Sequence, residues 1–351
     1  MPTTTNAARP RTRPIRVGLF LPHGERHMDG GTPRWADILA MARRAEEAGF
    51  DSLWVSDHLT RFGPIVRLGP WECWSLLAAL AATTSRAELG PLVSSTSFRE
   101  PALLAKMAAT VDEISDGRLV LGIGAGWREP EYRAFGYPFD HRASRFEEAL
   151  TIIREMLRDG ASDFQGRYYQ VHDAELRPAG PRPAGPPIMM GASGDRMLRL
   201  AARHADRWNC WLIFGDSRPA AAVPYLDRLD QACAAVGRDP LTIERSIAIQ
   251  AIPTSVKRGL RSRLTNRAEQ VVARLAKLDV VPLAGTPEEL ANDLLAFAEL
   301  GVCEVQVQLR PNNLAGIEAF AQVLDILDRA GIKPPNLERQ AGRAGQPVSG
   351  E

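Results

Sequence analysis

The segment Phe98–Tyr132, FREPALLAKMAATVDEISDGRLVLGIGAGWREPEY, constrains the fold more than any other stretch of the chain. A helix, a buried strand and a glycine-rich exit follow one another in it without a linker. Pro101 suits a first helical turn, where its missing N–H costs nothing, and Leu103, Leu104, Met107, Ala108, Val111 and Ile114 recur at helical spacing. One helix face is therefore buried. Asp116-Gly117 ends the helix, and Leu119, Val120, Leu121 and Ile123 then form an apolar run without polar alternation, the mark of a strand covered on both faces. Such a strand belongs inside a parallel sheet. Gly122, Gly124 and Gly126 carry no Cβ, so a flat ligand could approach the main chain where that strand ends.

The same strand-then-helix order runs along the whole chain. Strands are expected at Ile15–Leu21, Asp51–Ser56, Ala87–Val93, Leu119–Ile123, Pro187–Gly191, Arg207–Trp211, Arg245–Ile252 and Val302–Leu309. Helices are expected at Pro33–Ala48, Trp71–Thr84, Pro101–Ile114, Ser144–Arg158, Asp195–Ala205, Pro219–Val236, Thr286–Leu300 and Asn313–Ala330. Eight such units close an α/β (β/α)8 TIM barrel, which needs about 250 residues and tolerates short insertions. The expected organisation is one domain over residues 15–335, with loose tails at 1–14 and 336–351. Two insertions stand out: Phe164–Val171, where Gln165-Gly166-Arg167 can turn a small hairpin, and the basic stretch Val256–Val280, read as a lid, a dimer element or a solvated helix pair. The loop Arg177–Pro187, RPAGPRPAGPP, reads as a stiff connector into the fifth strand.

Composition narrows the function classes. With 43 Lys+Arg against 42 Asp+Glu the net charge is +1, so no global field draws in nucleic acid or an anionic membrane, and neither partner is expected. Cys73, Cys210, Cys233 and Cys303 are scattered and form no C-x-x-C pair, which argues against a disulfide framework or a zinc site and fits a cytoplasmic location with no metal. Arg9, Arg11 and Arg13 precede no apolar core, so no signal peptide is read, and no apolar run is long enough to span a bilayer.

In a barrel of this kind the active site is built from residues just after each strand. Here these are His23; Asp57 and His58; Ser94, Ser95 and Thr96; Trp127, Arg128 and Glu131; Ala192, Ser193 and Gly194; Trp211; and Gln308 with Arg310. Glu72 and Trp74 open the second helix and would face the same mouth. Each has a plainer alternative. His58 beside Asp57 could satisfy loop backbone, Glu72 could be a first-turn acid favoured by the helix dipole, and Trp71, Trp74 and Trp127 could be packing residues. The turn Gly191-Ala192-Ser193-Gly194-Asp195 meets a helix start, where free N–H groups suit a phosphate, or it could simply be capped by Ser193 or Asp195. The G-x-G-x-G of residues 122–126 does not have the spacing of the dinucleotide fingerprint.

Four stretches resemble the luciferase-like monooxygenase superfamily: AGFDSLWVSDH (Ala48–His58), LGPLVSSTSFREPALLAK (Leu89–Lys106), SDGRLVLGIGAGWREPEYRAFG (Ser115–Gly136), and PIMMGASG (Pro187–Gly194) with ADRWN (Ala205–Asn209). The resemblance covers about Val17–Ile326 and is strongest to the deazaflavin-dependent (coenzyme F420) oxidoreductases. It implies a barrel that holds coenzyme F420, or alternatively FMN, in its mouth without a metal, and a homodimer. It also implies a non-proline cis bond at Leu92-Val93 behind the central flavin ring. Cofactor contacts then fall to Asp57, Leu92, Val93, Ser94, Gly124, Gly191, Ala192, Ser193, Gly194, Trp208 and Asn209, and the substrate pocket to His23, Trp74, Trp127 and Glu131. One position departs from the more distantly similar deazaflavin-dependent glucose-6-phosphate dehydrogenases. Where those carry a proton-donating Glu just after the fourth strand, this chain has Trp127, which favours an apolar or aromatic substrate.

The chemistry expected from this resemblance is hydride transfer between reduced F420 and a small hydrophobic or aromatic molecule, with His58 or Glu72 supplying the proton. The alternative is an FMN-dependent monooxygenase using reduced flavin and oxygen. A second alternative is a barrel that binds flavin without turnover, prompted by the lack of an obvious acid/base dyad.

Overall fold

The computed structural model describes residues 13–28, 30–62, 67–254 and 280–331, leaving the side chains of 61, 62 and 67 aside. The expected tails lie outside these residues apart from Arg13 and Pro14, as does the basic stretch expected at 256–280 apart from Val280. Arg13 is buried against the barrel, pairing with Asp328 at 2.9 Å and donating to the carbonyl of Gly49 at 2.7 Å.

In chain order the elements are β1 (Arg16–Phe20), α1 (Trp35–Ala48), β2 (Ser52–Val55), β3 (Arg61–Phe62), β4 (Arg67–Leu68), α2 (Cys73–Thr83), β5 (Glu88–Pro91), β6 (Ser94–Ser95), α3 (Pro101–Ile114), β7 (Leu121–Gly124), α4 (Glu129–Phe135), α5 (Arg142–Asp159), β8 (Ala161–Gln165), β9 (Gln170–Glu175), β10 (Ile188–Gly191), α6 (Asp195–His204), β11 (Arg207–Trp211), α7 (Pro219–Ala235), β12 (Glu244–Pro253), β13 (Leu283–Gly285), α8 (Pro287–Glu299), β14 (Glu304–Leu309) and α9 (Leu314–Ala330). The main sheet is parallel, in the order β5-β2-β1-β14-β12-β11-β10-β7-β6, with β13 added beside β12. The first and last members of that path are two halves of one stave. β5 and β6 flank the cis peptide Leu92-Val93, β5 pairs with β2, and β6 pairs with β7. A bridge between Leu89 and Leu119 helps to close the ring. Eight staves with helices outside make the expected barrel.

Local chemistry sets the helix ends. Pro101 occupies the first turn of α3. α8 starts with a capping box, in which Thr286 accepts from the Glu289 amide at 3.3 Å and Glu289 accepts from the Thr286 amide at 2.7 Å. Gly49 and Gly160 end α1 and α5 in the left-handed conformation that glycine adopts without steric cost. The hairpin expected around Gln165-Gly166-Arg167 is formed by β8 and β9. The fourth-strand ladder runs one residue further than expected, through Gly124, and begins at Leu121.

Apolar side chains fill two regions. A large cluster lies mainly between strands and helices, and a small one inside the ring contains Phe20, Trp54, Leu92, Val120, Met189, Ile213 and Ala248. At the opposite end of the barrel from the strand exits, the first residues of six staves meet: Arg16, Ser52, Glu88, Arg207, Glu244 and Glu304. Arg207 takes Glu88 in a fork at 2.7 and 2.8 Å and reaches Glu244 at 3.1 Å, while Arg16 pairs with Glu244 and stands 3.6 Å from Glu304. Ser52 donates to Glu304 at 2.5 Å. Burial pushes the Glu304 carboxyl up, whereas at Glu88 burial is outweighed by the Arg207 hydrogen bonds and charge, which hold its carboxyl down. This polar plug sits at the face where barrels keep stability rather than chemistry.

Candidate active site

At the strand exits a cavity of about 1110 Å³ opens over the ends of five staves, carried by β2, β5–β6, β7, β10 and β11. Its size is slightly above the roughly 300–1,000 Å³ of pockets that hold drug-sized ligands. Val93, at the cis bond, forms part of the wall, and Gly124 and Gly191 lie against it: a Cβ at either would come within 2.9 or 3.0 Å of Val93 Cγ2. The Leu92-Val93 bond is thus cis as the resemblance implies, and Leu92, Val93 and Gly191 line the cavity. Gly124 does not. Its missing Cβ makes room for the Val93 side chain rather than for a ligand. Gly126 does face the cavity, with φ of 71°, and a Cβ there would collide with the Tyr132 hydroxyl.

His58 follows β2 and enters the cavity from one side. Its Nδ1 lies 2.9 Å from Oε2 of Glu131, a residue of α4 that is 1% exposed. The other carboxylate oxygen of Glu131 accepts the amides of Leu59 and, at 2.8 Å, Thr60. Burial opposes ionisation of Glu131, but the hydrogen bond and charge of His58 and the two amides outweigh it and hold the carboxyl below the usual carboxylate range. An ionised carboxylate can only accept, so Nδ1 of His58 carries the proton and Nε2 is left for the cavity. This His–carboxylate pair was not evident along the chain. Trp127 stands edge-on to the His58 ring at 5.9 Å between centroids and is 61% exposed, so it forms part of the mouth and not of the core.

A carboxyl whose pKa is depressed by folding stabilises the protein above the ordinary carboxylate value of about 4.3 and loses that contribution as pH falls through the depressed value. Urea unfolding is therefore expected to show a steeper loss of stability between about pH 7 and about pH 3 in the native sequence than in Glu131→Gln. Equal slopes would count against an ionised Glu131.

Asp57, beside His58, is also buried and lines the cavity, yet both its oxygens are taken. Arg99 forks onto them at 2.6 and 2.9 Å, and Ser94 donates to one at 2.5 Å. Three other expected site residues turn out to support the wall from behind. Ser94 is fully buried between Asp57 and the Trp74 indole, whose Nε1 donates to it at 3.1 Å, and Trp74 itself is buried. Trp208 is buried under the turn after β10, its Nε1 donating to the Ala192 carbonyl at 2.8 Å. Two corrections go further. His23 is fully buried, its ring nitrogens engaged by the carbonyls of Leu21 and Ser56 at 3.0 and 3.1 Å, so it secures loop backbone and does not reach a substrate. Glu72 caps α2, accepting the amides of Trp74 and Ser75 at 3.0 and 2.7 Å, and pairs with Arg99 at 2.9 Å, outside the cavity lining. Burial works against its charge, but the hydrogen bonds from Ser75 and Trp74 with the Arg99 charge prevail and keep its carboxyl low, which disfavours it as a proton donor.

The other side of the cavity is shaped for an anion. Ala192, Ser193 and Gly194 line it at the start of α6, whose N-cap Gly194 has no side-chain cap, while Asp195 pairs with Arg228 at 2.7 Å instead. The start of α5, with Arg142, Ala143 and Ser144, also lines the cavity and likewise has no side-chain cap. Two helix N-termini with amides to offer, and Arg142 and Arg196 beside them, fit a phosphate-bearing ligand. Asn209 completes this side: its Nδ2 donates to Ser246 and Gln306, both at 3.0 Å. Tyr132, Phe139, Trp211, Phe214 and Tyr225 add aromatic surface. Arg99, Tyr132 and Arg142 had not been expected at the site. Only the FREP run hinted at the first.

A parallel barrel with a large cavity at its strand exits, a cis bond in the cavity wall and a His–carboxylate pair opening on it has the layout of an enzyme. The chain belongs to the luciferase-like monooxygenase family, whose model matches residues 15–263. Among curated relatives, Pyrimidine monooxygenase RutA of Methylobacterium radiotolerans is 35% identical over 244 residues, covering 64% of this chain and 61% of that protein, so this chain spans less than two thirds of that relative. The protein of the same name from Caulobacter sp. strain K31 is 28% identical over 341 residues, covering 90% of this chain and 94% of its own length. Solved structures share the fold: an F420-dependent secondary alcohol dehydrogenase in complex with an F420-acetone adduct has a TM-score of 0.72 at 20% identity, covering 89% of this chain and 99% of that one. EDTA monooxygenase (EmoA) from Chelativorans sp. BNC1 has a TM-score of 0.70 at 18% identity, covering 92% and 95%. Among the described residues, no helix is long and apolar enough to cross a membrane.

Proposed function

We propose that this protein is a flavin-dependent monooxygenase that binds reduced FMN and oxidises a small planar organic molecule with oxygen. The observation that carries the reading is the His58–Glu131 dyad opening on the same cavity as the Val93 bulge and the two helix N-termini without side-chain caps. The resemblance of the sequence ranks F420 before FMN, whereas the relatives named as pyrimidine monooxygenases favour the reverse.

The residues present fit FMN. Ser193, Gly194 and the start of α5 would hold its phosphate, and Val93 would back its ring system. When bound and reduced, the flavin supplies the electrons with which oxygen is activated for transfer of one oxygen atom. The chain supplies the rest. His58 takes or gives a proton at Nε2, while Glu131 fixes its tautomer. Trp127, Phe139 and Phe214 give the mouth an apolar lining that suits an aromatic or heteroaromatic substrate and sheds water.

Titration of the purified protein with FMN and with F420, followed by fluorescence, is expected to give micromolar or tighter binding of FMN, and oxygen uptake once FMN is reduced and a pyrimidine is offered. Tight binding of F420 with no response to FMN overturns the proposal in favour of hydride transfer.

A further inference from the structure

We propose that Arg99 is a positioning residue that holds His58 in register with the Val93 wall, by clamping Asp57 and Ser94 together. Arg99 lies in the turn between β6 and α3, and its side chain is 11% exposed. Its Nη1 donates to Asp57 Oδ2 at 2.6 Å and lies 3.4 Å from Ser94 Oγ. Its Nη2 donates to Asp57 Oδ1 at 2.9 Å and to Glu72 at 2.9 Å. Ser94 in turn donates to Asp57, as noted, and follows directly on Val93 in the chain. One guanidinium thereby ties the end of β2 to the second half of the split stave.

The consequence falls on His58. The four-residue loop 57–60 is fixed at both ends: Arg99 and Ser94 hold Asp57, and Glu131 holds His58, Leu59 and Thr60. With Asp57 released, the loop keeps only one of its two anchors, the Nδ1–Glu131 hydrogen bond is made only part of the time, and Nε2 leaves its place in the cavity shared with Val93. A lysine cannot stand in, because an ammonium lacks the planar fork that spans two carboxylate oxygens.

A structural ion pair is the plain competitor, and the molecule contains a matched one. Arg182 forks onto buried Asp112 at 3.0 and 2.6 Å, and neither residue lines the cavity. Arg99→Lys and Arg182→Lys are therefore compared in the full chain with FMN added. The inference rests on His58 as the proton carrier, so the first readout needs no turnover: the ¹⁵N signals of His58, assigned with His58→Ala. The native protein and Arg182→Lys are expected to show one fixed tautomer, with Nδ1 protonated. Arg99→Lys is expected to show averaged ring nitrogens, an FMN Kd changed by less than about threefold, and a kcat lowered about tenfold or more, as misplacement of a reacting group by about an ångström costs up to roughly 10²-fold.

Unaltered His58 signals in Arg99→Lys, or the same changes in Arg182→Lys, overturn the proposal. If Arg99→Lys does not fold, Ser94→Ala serves instead: partial averaging of the His58 signals supports the clamp, and an unchanged spectrum sinks it. Averaged signals in Arg99→Lys together with full turnover of His58→Ala would leave the clamp standing and remove the proton role of His58.

Discussion

His58→Ala is expected to lower turnover by about 10²–10⁴-fold, the usual contribution of a positioned acid/base group, while leaving FMN affinity within about threefold. The two effects separate because His58 stands at the dyad side of the cavity, whereas the contacts suited to a phosphate come from the starts of α5 and α6. Rapid mixing of reduced FMN-loaded protein with oxygenated substrate measures the first effect, and fluorescence titration the second. Glu131→Gln is the informative companion. A glutamine amide can donate to Nδ1 and so favour the opposite tautomer, with the proton on Nε2 instead of Nδ1. Turnover of His58→Ala at the native rate removes the dyad from the mechanism.

Arg207→Leu is expected to cost about 3–5 kcal/mol of folding stability, the range found when one partner of a buried ion pair is removed and the other is left uncompensated. Glu88 would then lose its forked partner, and Glu244 and Glu304 would be left with Arg16. The loss is expected to shrink when Glu88→Leu is added, because the double variant no longer buries the stranded charge that Arg207 had forked. Chemical unfolding of the single and double variants measures both. FMN binding should hardly change, since the plug lies at the far end of the barrel from the cavity. A loss below about 1 kcal/mol for Arg207→Leu would mean that the plug is hydrated or rearranges.

The barrel was legible in the sequence because each stave is either an unbroken apolar run or a strand next to an amphipathic helix of ordinary length. Arg207–Trp211 was placed to the residue, and the ends of most helices to within one or two. What the local pattern could not carry was short or distant. α4, only seven residues long with Pro130 near its start, has too few turns to display a periodicity and read as loop. Yet it brings Glu131 to His58 across 73 residues of sequence. The β3–β4 pair and β13, of two or three residues each, were missed for the same reason.

Among the site residues, His58, Asp57 and Trp127 reached the cavity because position after a barrel strand is itself a geometric statement. His23 shares that position but not the outcome. Its stave brings it against the carbonyls of Leu21 and Ser56, a competition between backbone and solvent that no single-strand pattern reveals. Glu72 was misplaced because an acid at the N-cap of a helix serves the helix before it serves anything else. Arg99 passed unnoticed because a charged residue between a strand and a helix reads as surface until its two carboxylate partners are located.

Among the described residues, the cavity draws on five neighbouring staves, leaving those of β12, β14 and β1 out of its lining. An engineer wishing to admit bulkier substrates thus has a division of labour to exploit. Loops leaving β14 and β1 can be lengthened or exchanged to redraw the entrance, with the His58 side and the side at the starts of α5 and α6 carried by other loops and left as they stand.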